Sequence, residues 1–388
     1  MPFNAIQRVK RATATLCHLF ATLFAICKKK YKFVTKNNLK LTHSIMKKSS
    51  LNVSAKSTIC DSKNRKIYYN SWNGSVVNPA KMGAFGANII SNINENGMGV
   101  IEFDAPITVV RDSAFRGRRS LTSITIPDSV TKIGYYAFEG CSSLISVIIP
   151  NNVTSIGNSA FAGCDSLTSV IIPNSVTSIG HSAFHGCSSM ISVIIPDNVT
   201  LIGNYTFCDC SSLKSVIIPN SVTSIGNYTF DGCDNLASVT IPDGVTSIGD
   251  GAFYGCRKLA SVTIPDGVTS IGDGAFSHCD SLISVTIPDS VTKIGRSAFS
   301  GCRSLTSVTI SNSVTLIRDG AFCECCSLTS VFCKSITPPL GNWYIFSHYD
   351  NGFKPIGCTI YVPRNSVSAY KLAKYWRDYA DYIVGYDF

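Results

Sequence analysis

The chain has 388 residues, of which 45% are apolar, 15% charged and 10% aromatic. That is ample apolar material for a core and excludes an intrinsically disordered polymer. The formal charge of +10 sits at one end: residues 1–66 carry 15 Lys/Arg against the single acid Asp61, a net +14, while the other 322 residues carry 19 basic and 23 acidic groups, a net −4. A mildly acidic body lacks the clustered cations of a nucleic-acid groove, so no nucleic-acid partner is expected.

Taken from the start, Arg8, Lys10 and Arg11 precede a mostly apolar run, Ala14–Cys27, interrupted by His18. The run suits the apolar region of an export signal and is short for a membrane span. Three lysines, Lys28 to Lys30, follow where a cleavage site would be small and neutral, and in Phe24-Ala-Ile-Cys27 the bulky Ile26 spoils a lipid-attachment box. Met46-Lys-Lys offers another start. Residues 1–54 are read as a basic leader: a signal, an anchor to the membrane or envelope, or a misassigned start. Residues 55–100, with strand-like Lys66–Tyr69 and an Asn/Gly-rich stretch from Gly83 to Gly99, read as an N-terminal lead-in cap.

From there the chain is periodic. Phe115, Phe138, Phe161, Phe184, Phe207, Phe230, Phe253, Phe276, Phe299 and Phe322 recur every 23 residues, and Cys141 to Cys325 form a nine-member column of the same period. Pro127 to Pro288 and Gly134 to Gly295 are further columns, giving a unit L-x-S-V-x-I-P-x-x-V-T-x-I-G-x-x-A-F-x-G-C-x-x. Within a unit Ile124 and Ile126 share one face and Thr125 takes the other, as a short strand requires. Pro127 has no N–H and ends the ladder. Val130, Ile133 and Phe138 return inward, and Gly134 provides a turn. A single unit buries too little to offset its ordering, so stacking is compulsory. The periodicity predicts a repeat solenoid over residues 101–333, with Ile101-Glu-Phe103 as its first strand and Val331-Phe-Cys333 as its last. Residues 334–388 read as a C-terminal cap, with Thr359–Pro363 extended and Ser366–Tyr375 amphipathic.

These columns resemble the BspA-type, or Treponema pallidum-type, leucine-rich repeat. The flanks Phe85-Gly-Ala-Asn-Ile-Ile90 and Ile360-Tyr-Val-Pro363, with Tyr370 after six further residues, are similar to those of gut Bacteroidales members. The resemblance implies an α/β-type leucine-rich-repeat solenoid: a parallel β-sheet on the concave face, and short turns or helical turns on the convex face. It also implies a cell-surface or secreted, non-enzymatic protein mediating protein–protein binding or adhesion, with a host or bacterial surface protein as partner. It supplies no catalytic residue and no cofactor. Ser311 and Arg318 stand where the pattern has Pro and Gly, so a distorted coil is expected there.

Of 17 cysteines, the nine in the column read as a reduced packing ladder, because Cys behaves as a small hydrophobe when buried. Cys208, Cys323, Cys326, Cys333 and Cys358 lie outside it, and Cys323-Glu-Cys-Cys326 could bridge within the C-terminal cap. His181 and His185, four apart, with Cys208 one period after His185, could hold zinc; solvated surface side chains are the preferred reading. The columns Asp243, Asp266, Asp289 and Asp250, Asp273 could attract calcium, and solvated turns are again preferred. No phosphate loop, nucleophile elbow or paired acid is present, so no enzyme is expected.

The outward strand position is more informative. It runs Thr125, Ile148, Ile171, Ile194, Ile217, Thr240, Thr263, Thr286, Thr309, and beside it stand Ile145 and Ile191. Strand propensity on a tolerant surface explains isoleucine there; an exposed apolar strip would instead mark a binding site. The binding strip is assigned to Ile148, Ile171, Ile194, Ile217, Ile145 and Ile191. A structural surface spacer with no ligand is the alternative, and a carbohydrate-active enzyme a more remote one.

Overall fold

The computed structural model describes residues 64–388 apart from 82, 96 and 349–355; the basic leader lies outside the described residues. The repeats coil into a solenoid whose strands pair in register one period apart. On the front, Leu121–Thr125, Ser146–Ile148, Ser169–Ile171, Ser192–Ile194, Ser215–Ile217 and Ser238–Thr240 pair in parallel. Their register matches residues 23 apart, as in Ser192↔Ser215 and Val193↔Val216. The same ladder resumes at Ser284–Ile287, Ser307–Ile310 and Ser330–Cys333. Residues 260–264 between them form no strand. The lapse falls where Gly244 and Gly267 replace a bridging side chain: other coils carry a Ser or Asn there, such as Ser221, whose Oγ donates to the Val199 carbonyl at 2.5 Å, or Asn198, whose Nδ2 donates to the Asn174 carbonyl at 2.6 Å.

A second parallel ladder, not evident in the sequence, runs in two five-stranded stretches, from Val109–Val110 to Leu201–Ile202 and from Ser224–Ile225 to Leu316–Ile317. Two residues per coil are too few to show a strand period, yet they satisfy backbone groups that would otherwise be unpaired. The third side consists of turns, not helices. Its amides still point to the next coil: Phe115 N–H donates to the Ala137 carbonyl at 2.6 Å and Phe138 N–H to Ala160 at 2.7 Å.

The core is a set of stacked columns. The rings from Phe115 onward lie nearly parallel, with centroids 5.1–5.6 Å apart and interplanar angles of 2–15°, an offset-stacked arrangement. The stack does not end at Phe322. It continues to Phe346, at 5.4 Å, after one inserted residue. The nine column cysteines are buried, and each thiol donates to the carbonyl of the Phe 26 residues earlier, at 3.1–3.3 Å, as Cys141 does to Phe115. Their role is thus both volume and a weak hydrogen bond.

The Gly134 column enforces close approach of coils: a Cβ on Gly295 would sit 2.4 Å from the Gly272 carbonyl carbon. The expected distortion at Ser311 and Arg318 does not occur. Ser311 is buried with its Oγ donating to the Pro288 carbonyl at 3.1 Å, the front strands on either side keep register, and Arg318 N–H makes the same bond, to Ile294 at 3.0 Å, that Gly295 N–H makes to Ile271.

The first front strand is not the one the sequence suggests. β1 (Lys66–Ser71), β2 (Ile89–Glu95) and β3 (Met98–Phe103) form an antiparallel cap. β1 lies between β3 and Leu121–Thr125 and is antiparallel to both. The 23-residue spacing of Ile101 from Ile124 is real but sets only the back of that coil, where Val109–Val110 pairs in parallel. On the front, the side chain of Tyr69 crosses Gly99, where a Cβ would be 2.0 Å from its ring, and a reversed strand closes the ladder to further copies. At the other end Thr359–Pro363 and Ile383–Tyr386 add two parallel strands to the front sheet, backed by a short helix, Val367–Leu372, with Tyr370 and Trp376 fully buried. Among the described residues, no helix is long and apolar enough to cross a membrane.

Candidate functional site

The outward face of the front sheet follows from the alternation within each three-residue strand. In Ser146-Val147-Ile148 the valine is buried and both neighbours are exposed. Parallel pairing then sets Ile148 beside Ile171, Ile171 beside Ile194 and Ile194 beside Ile217. Their exposures are 64, 76, 69 and 72%, far above the burial an aliphatic side chain reaches in a core. Ile217 pairs with Thr240, where the row changes to threonine. The residue behind it is valine on both sides of the change, 3–6% exposed from Val147 to Val216 and partly buried at Val239 and Val262, so the identity of the residue beneath does not dictate isoleucine outside.

Ile145 and Ile191 are also exposed, at 51 and 47%. They do not merge with the row, because the column Ser146, Ser169, Ser192 and Ser215 runs between them. Three residues of extended chain, about 10 Å, separate Ile145 from Ile148. The strip is therefore one continuous isoleucine row with two outlying members, not a uniform patch.

The polar candidates divide differently from the sequence expectation. His181 does not join His185: its Nδ1 accepts the Asn204 N–H at 2.8 Å. It is one rung of a ladder in which Asn158, His181, Asn204, Asn227, Asp250 and Asp273 each accept the N–H of the residue one coil on. Asp250 and Asp273 are thus half-buried structural acceptors and not solvated turns; Asp273 also binds Arg318. Asp243, Asp266 and Asp289 are exposed. Cys208, read as a surface residue, is buried, and its sulfur lies against Asp209 and Asp231. Neither aspartate stood out in the sequence: Asp209 is the direct neighbour of Cys208 in a variable turn, and Asp231 comes from the next coil. In the C-terminal segment Cys323 donates to the Ser347 carbonyl at 2.8 Å and Cys333 meets the Tyr370 hydroxyl at 3.1 Å, so these sulfurs face separate partners. A shallow cleft of about 350 Å³ is lined by Lys81, Arg111, Asp112 and Lys132. It presents no arrangement of nucleophile, base and acid.

The family model for the BspA type leucine rich repeat region matches residues 108–237 and 223–350, in six copies. The chain belongs to the BspA-type leucine-rich repeat family. Among solved structures, it is similar to a leucine-rich repeat protein from Bacteroides ovatus, with 28% identity over 78% of this chain and 74% of that one and a TM-score of 0.58. It is also similar to a Treponema pallidum leucine rich repeat protein, with 34% identity over 46% of this chain and 73% of that one and a TM-score of 0.34. A leucine rich cell surface protein from Faecalibacterium prausnitzii shares 29% identity over 63% of this chain and 86% of that one, with a TM-score of 0.33. No curated protein matches the chain. BspA-type proteins are generally non-enzymatic binding or surface proteins, and the BspA-type coil accounts for the scaffold columns described above. The isoleucine row lies outside those columns.

Proposed function

We propose that this BspA-type chain is a non-enzymatic cell-surface or secreted binding protein that docks a protein partner across the outward row Ile148, Ile171, Ile194 and Ile217. The observation that carries the reading is the confinement of the Ile-to-Thr change to the solvent side, while the residue one position earlier is valine in every coil from Val147 to Val308. Burying four isoleucines would contribute on the order of 6–12 kcal/mol gross, before the costs of association. The serine column beside the row offers hydroxyls at a regular one-coil spacing, suited to the polar part of such an interface. The family supports a surface location and a protein partner, and no group in the described residues suggests a reaction.

The test is a double substitution, Ile171→Thr with Ile194→Thr, which installs the residue that Thr240 and Thr286 already provide on the same face. Circular dichroism checks the fold, and surface plasmon resonance against an immobilised partner, found by capture on candidate host and bacterial surface proteins, reads affinity. The reading expects weakened binding by a folded protein.

A further inference from the structure

The column that faces the turn side runs Arg116, Glu139, Ala162, His185, Cys208, Asp231, Tyr254, Ser277, Ser300 and Cys323. In three successive coils it carries imidazole, thiol and carboxylate, stacked one coil apart. The next column is glycine in a left-handed conformation in seven coils, Gly117, Gly140, Gly163, Gly186, Gly232, Gly255 and Gly301, with φ of 65–71°. Asp209 breaks it at φ 57°, as His278 and Glu324 do at 57° and 58°, and it alone does so beside the imidazole, thiol and carboxylate. A side chain in that conformation is disfavoured, and this one places a second carboxylate against Cys208.

The distances suit a metal ion. His185 Nε2 lies 3.4 Å from Asp209 Oδ2, the Cys208 sulfur lies 3.7 Å from the same oxygen, and the three donor atoms are mutually within 4.8 Å. Around a tetrahedral zinc ion with Zn–N and Zn–O of about 2.0–2.2 Å and Zn–S of about 2.3 Å, neighbouring ligand atoms stand roughly 3.3–3.7 Å apart. Asp231 Oδ2, 3.9 Å from the sulfur, stands on the next coil.

We propose that His185, Cys208 and Asp209 bind a zinc-class divalent cation, with Asp231 compensating its charge. Imidazole, thiolate and carboxylate together select a borderline-soft divalent ion over calcium or magnesium, which take oxygen ligands. A divalent ion placed among these side chains would be attracted by both carboxylates, and Cys208 would bind it as the thiolate, its proton released to solvent. Ligands from two successive coils, with Asp231 on the third, make the ion a staple across the turn side of the solenoid at a point midway along the array.

Cobalt(II) is the probe, because a bound thiolate adds a sulfur-to-metal charge-transfer band that carboxylate and imidazole do not. The full chain is titrated with cobalt and then with zinc as competitor. The proposal expects a thiolate band in the wild-type protein, lost in Cys208→Ser and retained in Cys326→Ser; the latter controls for the second group of metal-binding side chains, Glu324, Cys326 and His348. Serine occupies the Cys208 column at Ser277 and Ser300, so that variant folds. Asp209→Gly restores the residue that seven other coils use at this left-handed position; with circular dichroism showing the fold intact, it should weaken cobalt binding roughly 100-fold, at the upper end of what even an outer partner of a ligand costs. A wild-type protein without the band, a band surviving Cys208→Ser, or unchanged affinity in Asp209→Gly overturns the assignment.

Discussion

Both carboxylate oxygens of Asp273 lie 2.9 Å from Nη1 of Arg318, two coils further on. Asp273 meanwhile accepts the backbone N–H of Arg296 at 2.7 Å, so one side chain ties three coils together. The pair stands where the repeat has departed from glycine, at Arg318. Both partners are about two-fifths exposed, at 43 and 40%, and solvent screens them. Arg318→Gly is therefore expected to change stability by less than about 1 kcal/mol. Gly272→Ala, whose Cβ would lie 2.6 Å from the Asp250 nitrogen, should cost about 1–3 kcal/mol by overpacking. Urea midpoints of the two variants, side by side, check the contrast.

The phenylalanine stack makes a larger demand. Phe230 is fully buried between Phe207 at 5.6 Å and Phe253 at 5.4 Å, so Phe230→Ala removes two ring contacts and opens a cavity in mid-array. A cost of about 3–5 kcal/mol is expected, read as a lowered denaturation midpoint. An unchanged midpoint would mean that the inward face has been misassigned.

The cysteine ladder predicts a specific response to alkali. Burial pushes the Cys141 and Cys302 thiols up to about 12. The unfolded chain loses these protons at lower pH than the folded one, so the folded state binds more protons and stability falls as pH rises. The contribution is intact below about pH 8.5 and disappears as pH climbs toward about 12. Circular dichroism should show cooperative loss of structure in that window.

In native protein near pH 8, iodoacetamide should modify the exposed Cys326 and leave the nine column thiols intact, whereas denaturant should open all nine to alkylation. Peptide mapping over residues 141–326 reads both. Fewer than half of the nine alkylated in denaturant would mean that the ladder is disulfide-bonded.

The features that proved legible in the sequence share a cause. Phe115 to Phe322 and Cys141 to Cys325 recur without insertion, so their burial follows from period alone. What escaped depends on chain direction or on residues brought together across coils. Phe346 belongs to the stack but lies 24 residues after Phe322, and one insertion hides it from a strict period. β1 has the composition of a strand, yet composition does not say that it would enter reversed between β3 and Leu121–Thr125. Two-residue strands such as Lys132–Ile133 have no period to read. Cys208 looked like a surface residue because its column is variable, and Asp209 carried no signal of its own; only the stacking of coils sets both against His185. The isoleucine row was legible as a pattern, but the serine column that divides it from Ile145 and Ile191 gained its meaning from the strand geometry.

The docking surface is tested most directly by measuring affinity for one captured protein partner with three folded proteins: wild type, Ile171→Thr/Ile194→Thr, and Tyr135→Ser on the turn side, where the side chain is 47% exposed. If the row Ile148 to Ile217 is the interface, the double variant binds at least about tenfold more weakly, the equivalent of about 1.4 kcal/mol, and Tyr135→Ser binds as wild type does. Unchanged affinity in the double variant, with a loss in Tyr135→Ser, would contradict the account and move the site to the turn columns.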